Sequence, residues 1–201
     1  MQKSIIMDWS SIKRRLAADA AVRQLLIVEH TGGSDALARY YLKQDDGRWK
    51  LSGRCKAFIG KNGIGKTREG DAKTPVGELR PLRAFGILPN PGTALPWIDV
   101  RPGTIACDEE GPCYNRILQL AGWGNGDQTD ISGEYMWEIS PEYDYGLETD
   151  FNKECVWPLG SAIFIHCKGA KSWTGGCVAL EKRLMKKILT TADSGLVVSI
   201  R

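Results

Sequence analysis

Residues 161–180 read SAIFIHCKGAKSWTGGCVAL. The first seven, Ser161 to Cys167, form a compact apolar run bounded by Gly160 and Gly169, which predicts a strand. Strand side chains alternate between faces, so Phe164 and His166 share one face while Ile163, Ile165 and Cys167 share the other. Thr174-Gly175-Gly176-Cys177 then reads as a glycine turn that brings the chain back. After Cys177-Val178-Ala179-Leu180 the spacing predicts a helix over about 181–192, with Leu180, Leu184, Met185, Ile188 and Leu189 on its buried side. Leu196 to Ile200 follows as a last strand.

The same reading extends towards the N-terminus. Residues 9–23 carry Trp9, Ile12, Leu16 and Ala20 at helical spacing and predict a short amphipathic helix. Gln24 to His30 (QLLIVEH) is an apolar strand ended by a turn at Thr31-Gly32-Gly33. Ala36 to Lys43 and Arg48 to Ile59 pair across Asp45-Asp46-Gly47, an Asp-Gly hairpin signal. A glycine-punctuated segment, Gly60 to Lys66, leads to Glu69-Gly70-Asp71 and Lys73-Thr74-Pro75-Val76-Gly77. Residues 86–160 are aromatic, rich in Gly and Pro and weakly periodic, which suggests long loops over a sheet and a binding cleft. Strands dominate, with one helix near each end: the expected fold is mainly β, in one domain spanning residues 1–201.

Composition narrows the chemistry. The chain has 201 residues, six cysteines and only two histidines, His30 and His166, so a zinc site built on three histidines is impossible. A 42% hydrophobic and 25% charged content is that of a globular protein rather than a disordered one. The net charge of +3 is too mild and dispersed for nucleic acid and allows at most weak attraction to anionic polymers. No stretch approaches the roughly 18 apolar residues of a membrane span. Met1 to Ala21 is interrupted by Asp8, Lys13, Arg14, Arg15 and Asp19, so it does not read as a secretory signal. A cytoplasmic protein or a mature or trimmed form is therefore expected.

His166 on its strand and Cys177 after two glycines can face one cleft. A cysteine becomes a nucleophile when an adjacent base favours its thiolate. Gly175 and Gly176 would leave backbone N–H groups free for an oxyanion hole, and would let substrate backbone come close. The structural alternative is a tight turn, with Cys177 a small buried hydrophobe and His166 a satisfied polar group.

Four blocks taken together give this pattern a family context. They are Glu69-Gly70-Asp71 with Thr74-Pro75-Val76-Gly77, then Tyr114-Asn115, then Gly160 to His166, then Thr174 to Leu180. In this order, over about residues 58–200, the chain resembles the L,D-transpeptidase (YkuD-type) catalytic domain of bacterial cell-wall enzymes. The resemblance implies a sandwich-like β domain that needs no cofactor or metal. It also implies peptidoglycan stem peptides as partners and carbapenem-type compounds as possible inhibitors. The work site would be extracytoplasmic, in the cell wall or periplasm. Cys177 matches the nucleophile and His166 the base. The Gly176 and Cys177 N–H groups match the oxyanion hole, and the Cys167 carbonyl matches the group that orients the imidazole. The chain departs from the pattern at Gly175, where most members have His, and at Ala179, where most have a polar residue. The interval between His166 and Cys177 is also shorter than usual.

The remaining candidates are less specific. Thr174, Gly175, Trp173, Tyr145, Tyr114 and Arg68 form the expected substrate-binding set. Asn115 and Tyr143 are further possible cleft residues, and Lys73, Lys168 and Lys171 further candidates for substrate carboxylates. Lys182, Arg183, Lys186 and Lys187 read as the solvated face of the last helix, and His30 reads as structural. Cys107 and Cys113 flank a turn that could close a disulfide outside the cytoplasm, or remain free. A zinc site from Cys107, Cys113, Cys155 and Cys167 lacks any CxxC pair. Three functions follow: the transpeptidase, an L,D-carboxypeptidase in which water resolves the same thioester, and a non-catalytic wall-binding module.

Overall fold

A computed structural model describes residues 9–120 and 131–201 of the chain. Parts of the expectations for Met1 to Ala21 and for the 86–160 stretch therefore lie outside the described residues. Two helices are present, α1 (Trp9–Ala18) and α2 (Lys182–Thr191). The strands are β1 (Gln24–Gly32), β2 (Asp35–Lys43), β3 (Trp49–Phe58), β4 (Gly77–Leu79), β5 (Pro81–Gly86), β6 (Trp97–Asp99) and β7 (Thr104–Cys107). They continue with β8 (Ile117–Gln119), β9 (Gly133–Tyr135), β10 (Gly146–Thr149), β11 (Phe164–Cys167), β12 (Val178–Leu180) and β13 (Leu196–Ile200). The fold is mainly β with a helix near each end, consistent with a sandwich.

Ten strands form one mixed sheet in the order β4-β13-β1-β2-β3-β12-β11-β10-β5-β6, and three form a small antiparallel sheet, β8-β7-β9. Alternation along β1 explains how the large sheet is covered. Leu26 and Val28 join a central core with α2 side chains Leu184, Met185, Ile188 and Leu189, while Leu25 and Ile27 pack with Ile12 and Leu16 of α1. Each fully buried aliphatic side chain on α2 contributes roughly 2 kcal/mol, which holds a ten-residue helix too short to persist alone. A third cluster, comprising Phe85, Val100, Ala106, Met136, Tyr143, Phe164 and Cys177, fills the space between the large sheet and the small one. The candidate site lies at the edge of this third cluster.

Several boundaries differ from expectation. Helix α1 ends at Ala18 rather than residue 23, because the Asp19 carboxylate accepts the Ala21 N–H at 2.9 Å and turns the chain. Strand β1 continues through Thr31 to a bulge between His30 and Gly32. Strand β11 begins at Phe164, not Ser161. Ala162 stands at φ 49°, and side chains of Asn115 and Thr149 bond Ala162 N and Ile163 O at 2.9 and 2.6 Å. The 86–160 stretch holds β6 to β10, each only three or four residues long, too short for a period to show in the sequence. Lys182 and Lys187 are exposed yet engaged, Lys182 pairing with Asp144 and Lys187 donating to the Ser52 carbonyl.

Candidate active site

Strand β11 presents His166 and the turn after Trp173 presents Cys177, both on one cavity of about 410 Å³. The alternation holds: Phe164 and Cys177 belong to the aromatic cluster, while Ile163, Ile165 and Cys167 belong to the central core. Cys167 is buried and its thiol faces the Tyr145 carbonyl at 3.5 Å.

The Cys177 turn is fixed from two directions. Thr74 Oγ1 and Thr174 Oγ1 both donate to the Cys177 carbonyl, at 3.3 and 2.7 Å. Thr74 Oγ1 also accepts the Gly60 N–H at 2.8 Å, and isolated bridges join Gly60 to Thr174 and Ile64 to Thr74. Gly176 stands at φ +155°, and a Cβ there would come within 2.9 Å of both Ile163 Cδ1 and the Lys73 carbonyl oxygen. Only glycine fits that backbone without strain. The Gly176 N–H donates to Thr174 Oγ1 at 3.1 Å, so one of the two expected oxyanion donors is already engaged at rest.

The remaining motif blocks converge behind this turn. Glu69 Oε2 accepts from Tyr114 Oη at 2.6 Å and from Ser161 Oγ at 2.7 Å, and Tyr114 Oη accepts the Gly160 N–H at 2.8 Å. Asn115 donates to the carbonyls of Phe151 and Asn152 at 3.1 and 2.7 Å. Lys66 and Asp71 form a buried ion pair at 3.1 Å, and Lys66 lines the cavity.

His166 Nδ1 lies 2.7 Å from the Cys167 carbonyl oxygen. With Nδ1 carrying that proton, Nε2 is the free lone pair. Around the imidazole is an edge-on aromatic set. Tyr143 meets His166 with ring centroids 5.4 Å apart and planes at 83°, and Phe85 and Phe164 meet Tyr143 at 5.5 and 5.9 Å. Burial pushes His166 below its ordinary value, against the opposing pull of the Cys167 carbonyl and the Glu142 carboxylate.

Burial, followed by the Glu134 carboxylate, pushes the Cys177 thiol up to about 12; the Phe164 N–H and the Lys66 ammonium act the other way. The thiol donates to the Ala162 carbonyl at 3.0 Å and accepts the Phe164 N–H at 3.3 Å. Burial thus disfavours the charged form of both partners. This arrangement does not hold a preformed thiolate; it allows proton transfer to accompany attack.

The cavity places the expected residues unevenly. Gly176, Thr174, Gly175 and Trp173 line it with Cys177 and His166, and so do Lys171, Tyr143 and Ala179. Tyr145 instead faces the central core, Tyr114 is buried behind Glu69, and Arg68 is exposed outside the lining. Trp173 sits at the rim with Lys61 and Lys171 over its ring at 5.2 and 4.9 Å. Lys168 lies over Phe58 at 4.5 Å, and His30 Nε2 meets the Gly33 carbonyl at 2.9 Å. All six cysteines are free thiols. Among the described residues no cluster of three or more His, Cys, Asp or Glu side chains is arranged to hold a metal ion.

Four carboxylates line the cavity: Glu69, which opens the first motif block, and Asp108, Glu134 and Glu142, which the sequence does not single out. None forms an ion pair among the described residues. Tyr143 donates its hydroxyl to Glu134. Burial raises both Asp108 and Glu134 above the usual carboxylate range, and Glu69 adds to both. No sequence signal marks Asp108, Glu134 and Glu142, because they come from a loop, strand β9 and a 3-10 turn and meet only in the fold.

No protein-family model matches the chain, and no curated protein matches it. Among solved structures the chain is similar to the helical cell shape determining protein Pgp2 from Campylobacter jejuni, with a TM-score of 0.47 and 16% identity. That likeness covers 94% of this chain and 53% of the other, so the chain spans about half the length of this neighbour.

Proposed function

We propose that the chain is a cysteine-dependent L,D-transpeptidase acting on peptidoglycan stem peptides outside the cytoplasm. One observation carries this reading: Cys177 and His166 share a cavity, and the Cys167 carbonyl takes up the Nδ1 side of the imidazole so that Nε2 is the base. His166 removes the Sγ proton as the sulfur attacks the stem carbonyl. The C–N bond to the terminal D-alanine breaks, and its nitrogen takes the proton from the imidazolium. A thioester on Cys177 remains. An amine from a second stem then attacks the thioester, its proton passes through His166, and the thiol is restored. The oxyanion meets the Cys177 N–H, with the Gly176 N–H joining when Thr174 Oγ1 releases it.

The lining supports an amine-bearing substrate over a polyanion. Glu69, Asp108, Glu134 and Glu142 face two ammonium groups, and one of these, Lys66, is already paired with Asp71. The two positions that depart from the family pattern, Gly175 and Ala179, both lie on the cavity wall, where a change alters recognition without touching the Cys177–His166 chemistry.

Incubation with a carbapenem followed by intact mass measurement tests the reading. The expected adduct is lost in Cys177→Ala and retained in Cys155→Ala and Cys167→Ala. An adduct on another cysteine, or none, overturns the assignment. Digestion of treated peptidoglycan separates aminolysis from hydrolysis: cross-linked dimers mark a transpeptidase, and shortened stems mark a carboxypeptidase.

A further inference from the structure

Glu142 opens the short 3-10 turn Glu142–Asp144, whose middle residue, Tyr143, packs its ring perpendicular to that of His166. The turn is anchored on its far side, where Asp144 pairs with Lys182 and accepts Ser140 Oγ at 2.9 Å. Glu142 reaches back over Gly169, three residues beyond His166. A Cβ on Gly169 would fall 1.7 Å from Glu142 Oε1 and 2.0 Å from its Cδ. Gly169, Glu142 and His166 all line the cavity. The bare backbone at 169 is therefore the seat of the Glu142 carboxylate.

We propose that Glu142 is a positioning residue of this site, its carboxylate seated against Gly169 to hold the imidazolium that His166 becomes on taking the Cys177 proton. For its catalytic consequence this role rests on the acyl-transfer reading. The other titratable and charged groups around His166 leave the task to Glu142. Tyr143 packs at right angles to the ring and gives its hydroxyl to Glu134, and Cys177 is the proton donor. Glu134 acts on Cys177 and opposes its thiolate, while Lys171 stands over Trp173 and Asp144 is paired with Lys182. Cys167 offers its carbonyl, a dipole without net charge. Glu142 is the carboxylate whose field favours the protonated ring, in a site where burial works against it.

The measurement is an NMR titration of His166, assigned with His30→Gln since the chain has two histidines. It is run on the wild type, Glu142→Gln, Glu142→Asp and Gly169→Ala. Gly169→Ala displaces the same carboxylate without altering it, and the clash is with the end of a flexible side chain, so the fold absorbs the change. The midpoint is expected to fall in Glu142→Gln and in Gly169→Ala, each lowering the imidazolium population roughly threefold to tenfold. Glu142→Asp restores part of the loss. Unchanged midpoints in both variants overturn the role, and a fall in Glu142→Gln without one in Gly169→Ala overturns the seat. Carbapenem acylation on the same samples gives the separate readout. If the midpoint falls as expected and Cys177 is never acylated, the transpeptidase reading fails and the electrostatic role of Glu142 stands. If Cys177 is acylated and no midpoint moves, the reverse holds.

Discussion

Replacing Asp71 with Asn removes a charge that supports the cavity from behind, and its cost follows from four donors. Asp71 Oδ2 accepts the N–H groups of Thr67 and Arg68 at 2.7 and 3.2 Å; Oδ1 accepts Lys73 N–H at 3.0 Å and Lys66 Nζ at 3.1 Å. Burial opposes the charge, but these donors outweigh it and hold the carboxyl at about 2, against an ordinary value of 3.8. That depression is worth about 2.5 kcal/mol of stability at neutral pH. Asparagine also strands Lys66, whose side chain is only 2% exposed, and an uncompensated buried charge costs roughly 3–5 kcal/mol. The two figures overlap in the shared Lys66 contact, so the expected loss is about 3–5 kcal/mol, a fall in Tm of roughly 6–20 °C for a chain of this size. A carboxyl depressed on folding stabilises fully above its unfolded value of 3.8. The contribution is lost as pH falls through about 2. Urea unfolding followed by tryptophan fluorescence at pH 7, 5, 4 and 3 should show a full gap between wild type and variant at pH 7 and a narrowing gap below pH 4. Lys66→Met added to Asp71→Asn should recover part of the loss by removing the stranded ammonium. A loss under about 1 kcal/mol at pH 7, or a gap constant down to pH 3, refutes the reasoning.

Two further expectations concern the nucleophile. With its thiol pushed up to about 12, Cys177 should be alkylated by iodoacetamide about tenfold faster for each pH unit between 7 and 9, without a plateau. Glu134→Gln should speed that reaction several-fold by removing the opposing carboxylate; a neutral-pH plateau, or a slower variant, contradicts the electrostatics. Gly176→Ala should cost about 2–4 kcal/mol through its backbone angle and its contact with the Lys73 carbonyl, and should abolish carbapenem acylation. A variant as stable and as reactive as the wild type removes the requirement for glycine.

What could be read in the sequence followed the strength of local periodicity. Helix α2 and strand β1 carry long apolar patterns, and their buried side chains are the expected ones. The opposite facing of His166 and Cys167 needed only strand alternation. Tyr143 and Tyr145 show where such reasoning stops. They alternate in the same way, yet nothing in the sequence says which faces the cavity, and it is Tyr143 that does. Tyr114, Asn115 and Thr174 belong to motif blocks, but their polar atoms bond other parts of the chain and so build the scaffold of the cavity. Asp108, Glu134 and Glu142 are invisible in the sequence because a convergence of short, separate segments leaves no periodic trace.

The two threonine hydroxyls on the Cys177 carbonyl have a consequence for how the molecule assembles. Thr174 is three residues away, but Thr74 arrives from a hundred residues earlier, through a loop that must itself be closed by Asp71. Closing that span carries an entropic cost that the surrounding sheet must offset, so the nucleophile's position depends on long-range contacts rather than on its own local sequence. Its amide neighbours should then exchange with solvent through the global opening of the domain rather than by local fraying. The TGGC turn transplanted without its distant threonine would carry the sequence of the site and not its geometry.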